Sequence, residues 1–352
     1  MRALILCAGR GSRLYPLTHL LPKALVPIGE KPLIVHNLEK LAAAGIREIG
    51  LVVGQNKERF FQLLGDGKSF GFKLTYLIQE KPLGLAHALL VGKDYVQHLP
   101  HFLVILGDNF FGSDFKQFID AYLASGAESQ LMLAKVENPT NFGVASLAGN
   151  RIVKLVEKPK KPESHWAVAG LYAFTPRIFQ EIDRLQPSSR GELELTDAVA
   201  GQIKNGYFVK GYFTANYWYD VGSVAGLLQA NKQYLSQLPD KVEGKISDNC
   251  LISGIVVAAK GCRLNHCILE GPVLIQEDSL VENCRLGPNV VIGKRVKLDN
   301  CKLRNTIILE GSRLSGVEGV IKDSLIGPNC IVKGNKGEEK ILILGADANL
   351  SI

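Results

Sequence analysis

Ala3-Leu4-Ile5-Leu6-Cys7-Ala8-Gly9-Arg10-Gly11-Ser12-Arg13 opens with a short apolar run that stops at two closely spaced glycines. A run of this length bounded by Gly reads as a buried strand. A strand ending in a Gly-rich turn offers backbone N–H groups to a phosphate. Gly9 and Gly11 leave room for it, and Arg13 and Lys23 add positive charge beside it. Pro16 and Pro22 keep the next segment extended, so this is not a Rossmann fingerprint opening straight into a helix. Gly-Lys-Ser/Thr is absent, which excludes a Walker loop.

Working outward, strands and helices alternate. Pro32–Ala44 reads as a helix with Gly45 as its stop, and Ile49–Val53 as a strand. Asn56 is positioned to cap a helix carrying Phe60, Phe61 and Leu64 that stops at Gly65. Lys73–Ile78 and Phe102–Leu106 are further strands, separated by a helix over Gly84–Lys93. This alternation implies βαβ units with right-handed crossovers, a doubly wound layer. Strands near Leu131–Val136, Ile152–Val156 and Ala167–Phe174 follow, then helices over Glu194–Lys204 and Val224–Leu235. Gln237-Leu238-Pro239-Asp240 marks a boundary, giving domains of 1–240 and 241–352.

Beyond Gly244 helical periodicity is lost and aliphatic residues recur at steps of six. These are Ile246 and Ile252; Leu269, Ile275 and Val281; Leu286, Ile292 and Leu298; Ile308, Leu314 and Val320; Ile326 and Val332. Leu286-Gly-Pro-Asn-Val-Val returns as Ile326-Gly-Pro-Asn-Cys-Ile. Six residues per side is the hexapeptide signature of a β-helix, with the aliphatic residue inside and Asn or Gly at the turns. The step from Val281 to Leu286 is five, so some coils should be irregular. The fold class is α/β, a Rossmann-like mixed, mostly parallel sheet with helices on both faces, plus a C-terminal left-handed β-helix. The stretch Lys340–Leu344 reads as one more strand without an assigned partner.

Hydrophobic residues make up 46% and charged residues 21% of 352, which argues against a mostly disordered chain. The net charge is +7 with no block of five like charges, so a nucleic-acid tail is not expected. No apolar run reaches a membrane span. The seven cysteines include no Cys-x-x-Cys pair and cannot all pair internally, so a cytoplasmic, reducing location is expected. The seven histidines show no metal spacing. His87 reads as packing on a helical stretch and His266 as a turn residue. Tyr15, Trp166 and Trp218 are pocket walls or core.

Gly9-x-Gly11-Ser12-Arg13-x-x-Pro16-x-Thr18, followed by Pro22-Lys23, resembles the signature of sugar-1-phosphate nucleotidylyltransferases. Six more motifs match in order: Gln79-Glu80-x-Pro82-x-Gly84-Leu85-Ala86, Leu106-Gly107-Asp108-Asn109, Phe142-Gly143-Val144, Glu157-Lys158-Pro159, Arg190-Gly191-Glu192-Leu193-Glu194-x-Thr196-Asp197, and Trp218-x-Asp220-x-Gly222. The resemblance runs to about residue 235 and is nearest in pattern to the long form of glucose-1-phosphate thymidylyltransferases. Ala8 stands where the family usually has glycine.

The resemblance implies transfer of a nucleotidyl group from dTTP to glucose 1-phosphate, giving dTDP-glucose and pyrophosphate. It implies Gly9, Gly11, Ser12, Arg13, Gln79 and Gly84 as the nucleotide site. Gly143, Glu157, Lys158, Val168 and Arg190 would hold the sugar phosphate, and Asp108 and Asp220 would hold Mg²⁺. Arg13, Lys23 and Lys158 would be the catalytic cations. The attacking phosphate is already an anion, so positioning and charge stabilisation are needed and a general base is not. A Gln amide accepts from N3–H and donates to O4, reading thymine and uracil alike. Uridylyl transfer, with or without acyl transfer at the β-helix, stays open as an alternative. So does a non-catalytic relative that binds nucleotide-sugar. Small-molecule substrates and a homo-oligomer are expected, without nucleic acid or membrane.

Overall fold

The computed structural model describes residues 1–9, 11–334 and 338–352. The chain forms two compact units. One comprises Met1–Arg10 with Leu33–Asp220, the other Gly11–Pro32 with Val221–Ile352.

The first unit is built on a nine-stranded sheet. In chain order its strands are β1 (Arg2–Leu6), β2 (Glu48–Val53), β3 (Lys73–Ile78), β4 (Phe102–Leu106), β5 (Ser129–Lys135), β6 (Gly143–Ala148), β7 (Arg151–Glu157), β8 (Trp166–Phe174) and β9 (Val209–Phe213). The spatial order is β3-β2-β1-β4-β8-β5-β9-β7-β6, with β8 also touching β6. β1 to β4 run parallel to one another. β8 enters antiparallel to β4 and β5, and β9 runs parallel to β5. Burial on both faces explains the unbroken aliphatic strands. Leu4, Leu6, Phe102 and Val104 join one core with Leu89, Ile178 and Leu195. The alternating Ala3, Ile5, Leu103 and Ile105 are buried as fully, on the opposite face.

Helices flank this sheet. Leu33–Ala43 starts just after Pro32. Lys57–Leu64 begins at Asn56, but the Asn56 side chain makes no capping bond. The stretch over Gly84–Lys93 is divided at Gly92 into Leu85–Val91 and Lys93–Val96. Leu195–Lys204 follows the sequence pattern closely, as does Val224–Leu235, which belongs to the second unit. No helix among the described residues is long and apolar enough to cross a membrane.

The second unit is a β-helix of short parallel strands. Three aliphatic columns fill it. One runs Ile246, Leu264, Val281, Leu298, Leu314, Val332, Leu350. The second runs Ile252, Leu269, Leu286, Leu303, Ile321. The third runs Ala258, Ile275, Ile292, Ile308, Ile326, Leu344. The five-residue step recurs from Leu264 to Leu269 and from Leu298 to Leu303. Coils of 17 residues, as from Val273 to Val290, are joined by irregular ones of 16 and 18, as from Leu298 to Leu314 and from Leu314 to Val332. Val320 is not the interior residue; Ile321 is, because the register slips between the pairs Cys301/Val317 and Lys302/Val320. Left-handed corners are held by Asp278, Asn283, Asn289, Asn300, Asn305, Asp323 and Asn329, and His266 is another such corner. Asn and Asp tolerate that conformation better than most residues, which is why they fill the turns. The tail is a strand, with Ile343–Leu344 beside Leu325–Ile326.

Four cysteines of this unit, Cys250, Cys267, Cys284 and Cys301, stand one coil apart, and all seven cysteines of the chain are free thiols. The segment Gly11–Pro32 belongs to this unit through Gly29. Its N–H donates to Asn231 Oδ1 at 2.7 Å, and its carbonyl accepts from Gln276 Nε2 at 3.2 Å.

Candidate active site

Because β1 to β4 are parallel, the residues that follow them share one sheet edge. Gly9, Gln79 and Asp108 leave β1, β3 and β4 there, the edge where open α/β sheets bind ligands. A Cβ at Gly9 would meet nothing within 4 Å, so no packing inside the protein demands glycine at that position. In the second unit Gly11 takes a left-handed φ of 65°. Its carbonyl accepts from Thr18 Oγ1 at 2.7 Å, and a Cβ would lie 3.3 Å from Lys23 Cβ. The motif Gly11-Ser12-Arg13…Thr18…Lys23 thus closes on itself through three 3-10 turns, Ser12–Leu14, Leu17–His19 and Lys23–Leu25, so the segment is not extended as Pro16 and Pro22 imply.

Asp108 is held by a neighbour that the sequence reading gave no role. Asn109 is only 3% exposed. Its Nδ2 donates to Asp108 Oδ1 at 2.9 Å, and its Oδ1 accepts from Trp218 Nε1 at 2.8 Å. Trp218 therefore fixes the amide, and the amide fixes the carboxylate. Room for this comes from Gly170, where a Cβ would lie 2.8 Å from Asn109 Nδ2. Asp220 is the cross-strand partner of Asn109 in the antiparallel ribbon of Asn109–Phe111 and Trp218–Asp220. Two carboxylate residues therefore come from adjacent positions of one ribbon. Among the described residues no group of three or more His, Cys, Asp or Glu gathers in a way that could hold a metal. A pair of carboxylates fits Mg²⁺, which takes its remaining ligands from phosphate oxygens and water. Burial and the Asp108 carboxylate both push the Cys7 thiol up, which disfavours the thiolate.

A second cluster lies where β6, β7, β8 and the helix Leu195–Lys204 converge. Glu157 pairs with Gly143 across the β7–β6 hairpin. Glu157 Oε2 accepts from Thr196 Oγ1 at 3.1 Å. A Cβ at Gly143 would lie 2.6 Å from Thr196 Cγ2 and 3.4 Å from Val168 Cγ2. Gly143, Glu157 and Val168 therefore meet, and Thr196 and Arg190 each reach Glu157. Burial raises the Glu157 carboxyl above the ordinary value and Glu194 adds to this. The charges of Lys158 and Arg190 and the Thr196 hydroxyl oppose it. Lys158 holds a left-handed φ of 43° just before Pro159, with its N–H on the Phe142 carbonyl at 2.9 Å. Its Nζ lies 3.6 Å from Glu157 Oε1.

Arg190 Nη2 lies 2.6 Å from Glu194, 3.4 Å from Glu157 and 3.8 Å from Glu192. Burial alone would lower the Arg190 pKa, but the Glu194 hydrogen bond and the three carboxylates raise it. Three carboxylates around one guanidinium leave this corner net negative. Trp166 packs on Phe213 and Tyr15 stacks on His19. His266 bonds Asn249 at its corner, at 2.9 Å.

The profile of the family described as Nucleotidyl transferase matches residues 2–237. A glucose-1-phosphate thymidylyltransferase of Streptomyces griseus is 36% identical over 328 residues, 93% of this chain and 92% of that protein. The chain belongs to the sugar-1-phosphate nucleotidyltransferase family. This nucleotidyltransferase also matches, over residues 269–351, the profile described as the GMPPB C-terminal domain. A low-salt glycan biosynthesis nucleotidyltransferase of Haloferax volcanii is 38% identical over 263 residues, 74% of this chain and 73% of that one. Among solved structures, a UDP-glucose pyrophosphorylase complexed with UDP-glucose is 28% identical, with a TM-score of 0.61 over 67% of this chain and 99% of that chain. The nucleotidyltransferase is an enzyme of small-molecule chemistry, acting on sugar 1-phosphates.

Proposed function

We propose that the chain transfers a thymidylyl group from dTTP to glucose 1-phosphate, releasing dTDP-glucose and pyrophosphate. The observation that carries this reading is the joint presence, within the first unit, of the Asp108–Asp220 ribbon and the Glu157–Gly143–Val168 cluster. The first suits phosphoryl oxygens and the second suits sugar hydroxyls. A sugar phosphate oxygen attacks the α-phosphorus in line. The new P–O bond forms as the α–β bridge breaks, and its electron pair leaves on pyrophosphate. The anionic nucleophile needs no base.

Arg13 and Lys23 bind the triphosphate, which Gly9, Gly11 and Ser12 admit to the backbone. Gln79 and Gly84 meet the base. Glu157, Gly143 and Val168 orient the sugar, and Lys158 steadies its phosphate. Arg190 supports the sugar-phosphate end, where it also bridges the carboxylates of Glu157 and Glu194. Mg²⁺, held by Asp108 and Asp220, supplies positive charge to the phosphoryl oxygens when bound. Asn109 keeps Asp108 aimed. The nucleotidyltransferase domain is assigned to 1–240 and the β-helix to 241–352. The protein works in the cytoplasm as a homo-oligomer.

The test crosses a panel of sugar 1-phosphates with all nucleoside triphosphates and follows pyrophosphate. The reading predicts the highest kcat/KM for dTTP with glucose 1-phosphate. A clear preference for UTP would make the chain a uridylyltransferase. Absence of release with every pair would end the catalytic reading.

A further inference from the structure

Gln79 is 4% exposed, so its amide is tightly placed. Its Nε2 lies 3.4 Å from the Gly84 carbonyl oxygen and 2.8 Å from His87 Nδ1. A backbone carbonyl can only accept, which assigns that end of the amide as the NH₂ group. His87 Nδ1 then accepts the second amide hydrogen, and the ring proton sits on Nε2. Both Gln79 hydrogens are engaged, and Oε1 is what remains to meet a ligand.

The position of His87 is itself fixed. It sits in the first turn of Leu85–Val91, whose Ala88 N–H bonds the same Gly84 carbonyl at 3.1 Å. Ala86 N–H is tied to the Leu193 carbonyl at 3.0 Å. Gly84 is wedged so closely against Leu193 that a Cβ would lie 2.5 Å from its oxygen. The helix start cannot slide, so the imidazole stays against the amide.

We infer that His87 is a positioning residue for base specificity. By holding the Gln79 NH₂ group it presents Oε1 alone to the nucleotide, selecting pyrimidines that carry N3–H over cytosine, whose N3 accepts. This inference rests on the proposed reading of Gln79 as the base reader. It also alters that reading: with both amide hydrogens engaged, Gln79 does not donate to O4, and its discrimination lies at N3.

The experiment measures kcat and KM for dTTP and dCTP in wild type, His87→Ala, His87→Phe, His87→Gln and Gln79→Ala. With the imidazole gone the amide can turn, and a donor then faces N3–H. The dTTP-over-dCTP ratio of kcat/KM should fall by about 10-fold in His87→Ala and His87→Phe, with KM for dTTP carrying the change rather than kcat. His87→Gln, whose amide oxygen can accept the same hydrogen, should recover most of the ratio. If His87→Phe keeps the wild-type ratio while Gln79→Ala loses it, His87 only packs and the inference falls. If Gln79→Ala itself keeps the ratio, Gln79 does not read the base, and the inference loses its ground.

Discussion

The two units use the same aliphatic residues in opposite ways. In the sheet, Phe102-Leu103-Val104-Ile105 is buried on both faces, and the strand then stops. At that stop the chain is free of the pleat, and Gly107-Asp108-Asn109 is where the proposed chemistry lies. In the β-helix one aliphatic residue per side points inward, and short strands such as Val273–Ile275 and Val290–Ile292 run straight into the next corner. Corners such as Asn283 and Asn289 are spent on a left-handed turn. A fold with many strand ends on one edge collects functional groups there, and a fold made of repeated corners collects stability. Chemistry and stability should therefore separate between the strand ends of the sheet and the coils of the β-helix when residues are changed.

The largest separation is expected at Asp108. Asp108→Asn should lower kcat by about 10²–10³-fold, the scale of losing one preorganised electrostatic group, while the melting temperature stays near wild type. Leu286→Ala should do the reverse. It is wholly buried in a central column, so denaturant unfolding should show a loss of about 2–5 kcal/mol with kcat unchanged in the folded fraction. Asn289→Ala places an ordinary side chain at φ 62°, and should cost about 1 kcal/mol by the same measurement. Asn289→Gly should cost less.

The smallest effect is in pH. The Glu157 carboxyl is raised, so it takes up a proton at a higher pH than an ordinary carboxylate as the solution is acidified. In the proposed function, sugar hydroxyls donate to its charged form. KM for the sugar 1-phosphate should therefore rise on acidification, beginning above the usual carboxylate range, and Glu157→Gln should remove that rise. For stability the sign is opposite. A raised acid is less stabilising when ionised, so its contribution improves as pH falls through its folded value and is complete below the unfolded one.

Much of this contrast was readable in the sequence. Lys73–Ile78, Phe102–Leu106 and Val224–Leu235 match the pattern residue for residue, because each is an unbroken apolar or amphipathic run. β6, Gly143–Ala148, was not read as a strand, since Gly-Val-Ala-Ser-Leu-Ala is rich in small residues and is ordered by its partner β7. β9, Val209–Phe213, is interrupted by Gly211 and was missed for a related reason. The five-residue side of the β-helix recurs at Leu264–Leu269 and Leu298–Leu303 but lengthens to six at Ile246–Ile252 and seven at Leu314–Ile321, so the coils are irregular, as the broken spacing implies. The spacing of Cys250, Cys267, Cys284 and Cys301, one coil each, carried the coil length all along.

The site was legible as a set of residues but not as a set of bonds. Glu157, Gly143 and Val168 lie far apart in sequence and meet only because β6, β7 and β8 adjoin. Asn109, Trp218 and Thr196 were visible as letters within motifs. Their work is to hold Asp108 and Glu157, and it depends on hydrogen-bond geometry that no spacing encodes. Arg190 reads as a cation for phosphate until its three carboxylate neighbours are counted.

The most direct test is pyrophosphate release from dTTP and glucose 1-phosphate with Mg²⁺, run side by side on wild type, Asp108→Asn and Leu286→Ala at a temperature where all three are folded. Wild type and Leu286→Ala should release pyrophosphate in step with dTDP-glucose, and Asp108→Asn should be nearly silent. Near-normal turnover by Asp108→Asn would contradict the account.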